Sequence, residues 1–318
     1  MANNNSTADT TQSITLKDGR TLCYGTNGAS GSNSAASAQL PTAFLFHGFP
    51  GSHQEGHAIH KAALTHGIRI VSVSRPGYAG SSPEPKRTIS SFALDVLELA
   101  DHLHIQRFAV MGISGGGPYA LGCLLKIPAD RLAGTMVVSG MYPTSLGLSE
   151  MMLSNRVIFN IAPWAPWLIG FLFNSSIGAA AQDVAHPERL KETLQGGFKS
   201  MPPEDRRVVE ADGGELLDIF TTSMREAFRD GAAGAAYEAA LFGNPWDFDL
   251  EQLPVRKGEL VIYHGGKDIH VPLRMAREAV AKMNGAQLIV EENEGHTLGF
   301  CKTDEIMKKL RQMIAKEQ

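Results

Sequence analysis

The sequence predicts an α/β protein with a mainly parallel sheet, interrupted once by a long helical insertion. Three observations carry this reading. Short apolar runs of buried-strand type alternate with helix-periodic segments before residue 142 and again after residue 245. Between those limits the alternation stops, and helix-forming segments follow one another with no convincing strand pair. A single Gly-x-Ser-x-Gly stands where one apolar run meets the following helix.

The elements follow in chain order. Residues 13–16 and 21–24 flank Lys17-Asp18-Gly19-Arg20, a hairpin with an Asp-Gly turn. Residues 26–39 carry no charge and are mostly Gly, Ser, Ala and Asn, which predicts a flexible surface insertion without chemistry. Buried strands are predicted at 43–46, 68–73 and 108–111. Ile89, Phe92, Val96, Leu99 and Leu103 fall at helical spacing and predict a helix over 88–104. A helix over 115–126 and a strand over 134–139 come next. After the insertion the expected elements are a strand at 260–263, a helix at 272–283, a strand at 287–290 and a closing helix at 303–314. The chain therefore divides into a core in two parts, 1–141 and 246–318, with a helical cap or lid at 142–245.

Composition removes several classes of function. Lys+Arg of 29 against Asp+Glu of 33, with the basic residues scattered, gives no stripe for nucleic acid. The three cysteines are far apart and in no CxxC pair, so neither a disulfide framework nor a zinc site is expected. Residues 1–13 lack the basic and apolar regions of a signal peptide, which makes the cytoplasm the default compartment. Residues 157–182 hold no charge, yet Asn160, Pro163, Pro166 and Gly170 interrupt the most apolar part, so no membrane span is expected. That part contains Trp164 and Trp167 with Phe159, Leu168 and 171–173. It predicts a pocket wall above the site or, equally, the packing of the lid on the core.

Chemistry concentrates at Gly112-Ile113-Ser114-Gly115-Gly116. A serine hydroxyl is a weak nucleophile, and a sharp strand-to-helix turn projects it toward both substrate and base. The following helix start aims unpaired amides at a developing oxyanion. Three further segments accompany this elbow: His47-Gly48-Phe49-Pro50-Gly51 after the strand at 43–46, Arg75-Pro76-Gly77-Tyr78-Ala79-Gly80-Ser81-Ser82 after 68–73, and Gly295-His296 after the last strand. Together they resemble the α/β-hydrolase fold family over nearly the whole chain, except the N-terminal tail and 26–39. The second segment departs from the family pattern, with Ser74 where Asp is usual and Ala79 where a second Gly is.

A base needs a carboxylate to hold its ring. Of the 11 histidines, His53, His57, His60, His66, His102 and His104 fall on predicted helices or their ends and read as surface residues. His47 reads as a shaper of the loop it opens. His296 lies in a short turn beyond a strand, at the sheet edge where catalytic loops gather. Asp268 follows the strand at 260–263 in the same manner, giving the order Ser114, Asp268, His296. Residues 139–143, the other acid position of the fold, offer no carboxylate. Oxyanion donors are expected at the Phe49 and Gly115 amides, since Pro50 has none to give.

The resemblance implies a serine hydrolase acting on a small hydrophobic ester or related acyl substrate through an acyl-enzyme, with no cofactor and no metal. The His-Gly-Phe-Pro loop is also similar to that of epoxide hydrolases and haloalkane dehalogenases, but those attack with an aspartate and position 114 is serine. The tryptophan-flanked elbow of proline iminopeptidases is absent. A biosynthetic acyltransferase or cyclase, a C–C bond hydrolase, and a ligand-binding member without catalysis are the alternatives. The sequence gives no oligomeric state.

Overall fold

Six parallel strands and an antiparallel pair at one edge make the sheet on which everything else is hung. The computed structural model describes residues 11–315. The strands are β1 (Gln12–Thr15), β2 (Thr21–Gly28), β3 (Thr42–Phe46), β4 (Arg69–Val73), β5 (Phe108–Ile113), β6 (Leu132–Val138), β7 (Leu260–Gly265) and β8 (Gln287–Glu291). Their order is β1-β2-β4-β3-β5-β6-β7-β8. The β1/β2 and β2/β4 pairs are antiparallel, and all pairs from β4 to β8 are parallel. Side chains alternate across the sheet as the pleat requires. Phe44, Phe46 and Val110 meet one layer of helix, with Phe92, Val96 and Leu99. Ala43, Leu45 and Met111 meet the other, with Ile306, Leu310 and Met313.

The helices are α1 (Ser34–Ala38), α2 (His60–Thr65), α3 (Phe92–His102), α4 (Gly117–Lys126), α5 (Leu153–Ile161), α6 (Pro166–Phe173), α7 (Ala179–Gln182), α8 (Glu188–Lys199), α9 (Pro203–Glu210), α10 (Glu215–Phe228), α11 (Ala233–Gly243), α12 (Leu273–Lys282), α13 (Leu298–Cys301) and α14 (Thr303–Ala315). All of α5–α11 lies between β6 and β7 in the chain. Among the described residues no helix is long and apolar enough to cross a membrane.

Three expectations need correction. Residues 26–39 are not an open insertion: β2 runs on to Gly28, paired with Arg69 of β4, and α1 is capped by Asn33. Strand pairing uses backbone groups and so does not need the apolar side chains by which a strand is recognised in sequence. The helix expected from residue 88 begins at Phe92, because Thr88 and Ser91 close a turn of their own, each backbone N–H donating to the other's hydroxyl at 3.0 and 3.2 Å. His53 is not a surface residue. It is buried, with Nδ1 2.7 Å from the Ser74 hydroxyl. Ala79 adopts φ +47°, so the turn keeps the shape that glycine favours despite the substitution.

A buried ion pair joins the insertion to the core. Arg75, just beyond β4, and Glu238, on α11, are both fully buried and meet through two contacts of 2.6 and 2.8 Å. The same guanidinium donates to the carbonyls of His47 and Gly48 at 2.5 and 2.8 Å. Tyr119 and Tyr78 donate to Glu238 at 2.7 and 3.0 Å. From the other side the buried Glu55 carboxyl accepts the Gly48 N–H at 2.8 Å. Burial pushes Glu55 up to about 7, despite the Gly48 hydrogen bond and the Arg75 charge acting against it.

Three predictions follow from burial. Removing one partner of a buried pair strands the other, so Glu238→Ala should cost about 3–5 kcal/mol in denaturant melts. Trp164→Ala and Trp167→Ala, at side chains 88% and 73% exposed, should each stay within about 0.5 kcal/mol. For Glu55 the folded state holds its proton more tightly than the unfolded one. The stabilisation is present below the unfolded carboxyl range and is lost as pH rises through about 7. Glu55→Gln lacks that loss, so its melting temperature relative to wild type should rise between pH 5 and pH 8, by an amount equivalent to about 3 kcal/mol.

Candidate active site

The C-terminal ends of β3, β5, β7 and β8 lie along one edge of the sheet, and the loops that follow bring four segments distant in sequence together. After β5 the chain turns sharply into a short 3₁₀ turn and α4, with Ser114 at φ +51°. Only glycine fits two residues earlier, because a β-carbon on Gly112 would sit 2.2 Å from the Gly116 carbonyl oxygen. Strand and helix therefore approach closely, and the serine is left at the apex.

The Ser114 hydroxyl lies 2.9 Å from His296 Nε2. On the other side of the ring, Nδ1 donates to Asp268 Oδ2 at 2.8 Å. The second oxygen of Asp268 accepts the backbone N–H groups of His270 and Val271 at 2.8 and 2.9 Å, which fixes the carboxylate plane. Burial alone would raise Asp268. The charge and hydrogen bond of His296, then His264 and the Val271 amide, outweigh it and hold the carboxyl below its ordinary range. Burial likewise opposes protonation of His296, but Asp268, with a smaller contribution from Asp205, lifts it above its ordinary 6.5. His270 stacks on His296 with ring centres 4.8 Å apart. It is lowered to about 4 by burial and by its neighbour's charge, so it stays neutral.

The loop after β3 runs past this serine. A β-carbon on Gly115 would come 3.1 Å from the Phe49 nitrogen, so the Phe49 and Gly115 backbones lie side by side. The Phe49–Pro50 bond is cis. His47 is buried behind the loop, its Nδ1 donating to the Gly48 carbonyl at 2.8 Å and its Nε2 accepting the Arg75 N–H at 3.3 Å. Burial and then the Arg75 charge hold its ring well below the ordinary histidine range, hence neutral.

Above Ser114 is a cavity of about 280 Å³. One aromatic group of its walls, Phe49, Phe159, Phe173 and Phe242, meets edge to face or tilted at 5.5–6.1 Å. A second, Phe198, Phe220 and Phe300, packs at 5.2–5.8 Å. Five of these seven rings come from the insertion, on α5, α6, α8, α10 and α11. Glu55, Asn155, His270 and Thr297 are the polar lining beside Ser114 and His296.

The predicted pocket wall needs correction. Neither Trp164 nor Trp167 lines this cavity. Trp164 borders a separate open groove shared with Ser145, Asn160, Asp249 and Lys282. The two helices α5 and α6 turn their Phe159 and Phe173 inward, which leaves the tryptophans on the outer face. The uncharged composition of 157–182 marked the right stretch and gave no facing for its side chains.

Sequence reading missed three groups. Glu55 stands in no motif that was read. Asp205, on α9, is fully buried, and its Oδ1 accepts both the Thr297 N–H and the Thr297 hydroxyl at 2.7 and 2.9 Å. Glu238 is one acidic residue in a run of alanines on α11. Of the three only Glu238 has an apolar sequence setting that could have drawn notice, and that is a weak sign on a helix; Glu55 and Asp205 stand among polar neighbours.

Comparison with known proteins agrees with this architecture. A family model described as the alpha/beta hydrolase family matches residues 43–301. An uncharacterised hydrolase, YcgS, of Bacillus subtilis is 37% identical over 57 residues, a match spanning 18% of this chain and 20% of that protein's length. Among solved structures, a hydrolase from Pseudomonas aeruginosa superposes with a TM-score of 0.64 at 19% identity, covering 97% of this chain and 100% of that one. The esterase RhEst1 from Rhodococcus sp. ECU1013 gives 0.65 at 17% identity, covering 96% and 99%. At such identities these structures share the fold. With the family model spanning most of its length, the chain belongs to the alpha/beta hydrolase family.

Proposed function

We propose that this protein is a serine hydrolase that cleaves the ester, or a related acyl bond, of a small hydrophobic substrate through an acyl-enzyme. The observation that carries the reading is the unbroken chain from the Ser114 hydroxyl to His296 and on to Asp268, opening into an apolar cavity. Ser114 Oγ attacks the acyl carbonyl while its proton passes to His296 Nε2. The backbone N–H groups of Phe49 and Gly115 receive the oxyanion of the tetrahedral intermediate. Collapse breaks the bond to the leaving alcohol, which takes the proton back from His296. Water, activated by the same ring, then attacks the acyl-enzyme and frees Ser114. Asp268 keeps the ring oriented and offsets the charge it gains. The mechanism calls for no cofactor.

In this reading the helical segment 142–245 is a cap that supplies most of the acyl pocket. Among the described residues no Lys or Arg lines the cavity, and a neutral, aromatic or aliphatic acyl group fits its walls better than an anionic one. The esterase names of several structural relatives, RhEst1 and one from Exiguobacterium antarcticum among them, point the same way as analogy.

Ser114→Ala should lower turnover of short aryl esters by several orders of magnitude with the fold intact, and it should abolish labelling by a fluorophosphonate probe. Labelling of neither wild type nor variant would place the chain with ligand-binding members of the fold. Asp268→Asn should cost on the order of 10⁴ in kcat, the loss seen when the acid of a serine protease triad is so changed. Because turnover needs the neutral ring and His296 lies above 6.5, kcat/KM should rise with pH through a midpoint above that value.

A further inference from the structure

The start of α9 reaches both loops that carry the proposed acid and base. Glu204 takes the Lys267 ammonium at 2.7 Å, next to Asp268, and Arg207 meets Glu294 at 2.5 Å, two residues before His296. Both are pairs at the surface, where water screens the charges and little stability is gained. Asp205, between them, is different. It is fully buried, and its Oδ1 accepts two hydrogen bonds from Thr297, while Oδ2 has no hydrogen-bond partner among the described residues. The contact is close: a β-carbon on Gly295 would fall 2.5 Å from Asp205 Oδ1. Residues 295 and 297 flank His296, so the carboxyl grips the loop on either side of the imidazole.

A buried carboxyl with one oxygen unpartnered opposes folding, so stability gives no account of this residue. Negative charge beside a ring that becomes cationic during turnover does give one. We propose that Asp205 is a positioning residue, contributed by the insertion, which fixes the base loop on both sides of His296 through Thr297 and Gly295 and sets a second carboxyl group beside the one Asp268 supplies. The inference rests on the reading of His296 as the general base. The groups acting on that ring are His264 from the end of β7, Asp268 and His270 from the loop that follows it, Ser114 from the elbow and Asp205 from α9. Asp268 acts most strongly in favour of the cation, and Asp205 adds to it; the charges of His264 and His270 would oppose it. The base is therefore tuned in part by a helix of the insertion, whose neighbours α8 and α10 carry Phe198 and Phe220 into the cavity.

The test follows the ring and the serine separately. Asp205→Asn keeps the side-chain shape and an acceptor for the Thr297 N–H but removes the charge. NMR titration of the His296 ring, assigned by loss of its signal in His296→Gln, should show the midpoint falling by on the order of half a pH unit. The acid limb of fluorophosphonate inactivation should move down by the same amount. Asp205→Ala, which also releases the loop, should in addition slow inactivation at its pH plateau by up to about 10²-fold. If Asp205→Asn leaves both midpoints at their wild-type values and only lowers the melting temperature, the residue is structural and the proposal is wrong. Wild type that is never labelled but shows the shifted ring titration would overturn Ser114 and His296 as hydrolase machinery while supporting the effect of Asp205 on the ring.

Discussion

The contact on which the rest of this structure depends is the pairing of Arg75 with Glu238. A guanidinium placed at the end of β4 with no exposure to water requires a carboxylate, and the one it has comes from α11, more than 160 residues further along the chain. Its remaining N–H groups turn to the carbonyls of His47 and Gly48. One ion pair thus fixes two things at once: where the insertion sits on the sheet, and how the loop after β3 is held beside Ser114. Such a pair adds little net stability over a well-packed apolar pair, but losing one member is costly. What it supplies is register between two parts of the chain.

The site has the same logic on a smaller scale. Ser114, Asp268, His296 and the loop at 47–51 all hang from the C-terminal edge of the sheet, where parallel strands release their chains toward one side. Covering that edge with aromatic rings removes water and lowers the local dielectric, so that each charge there acts over a longer range. The shifts of Asp268 below and His296 above their ordinary ranges are opposite ends of one interaction. For Glu55, held beneath the Gly48 amide, burial outweighs the opposing pull of that amide and of the Arg75 charge, and the carboxyl is shifted upward.

The insertion contributes inward and outward faces of different character. Phe159, Phe173, Phe198, Phe220 and Phe242 turn to the cavity, whereas Trp164, Trp167 and Phe171 remain largely exposed. α6 is apolar almost all round, and packing on one side only leaves the other uncovered. Apolar composition specifies that a segment seeks burial, and the crossing of α5, α6 and α11 specifies which of its rings obtain it.

Much was legible in the sequence by itself, and for local reasons. Runs such as 43–46 and 108–111 declare strands because burial on both faces demands continuous apolar side chains. The helix after Ser114 and the turn before it are declared by glycines whose absence of a β-carbon the geometry needs. Strand ends carrying Asp268 and His296 could be paired with Ser114 because a parallel sheet gathers such ends on one edge. The tertiary structure alone decided what depends on approach between segments far apart: the seating of Glu238 on Arg75, of Asp205 on Thr297 and of Glu55 under Gly48, and the facing of Trp164 and Trp167 away from the site. Each of these is set by a contact across 92 or 163 residues or by a helix crossing, except Glu55, seven residues from Gly48 yet identified only by its burial. Periodicity along one segment records which side is apolar, and it carries no information about the segment that will cover it.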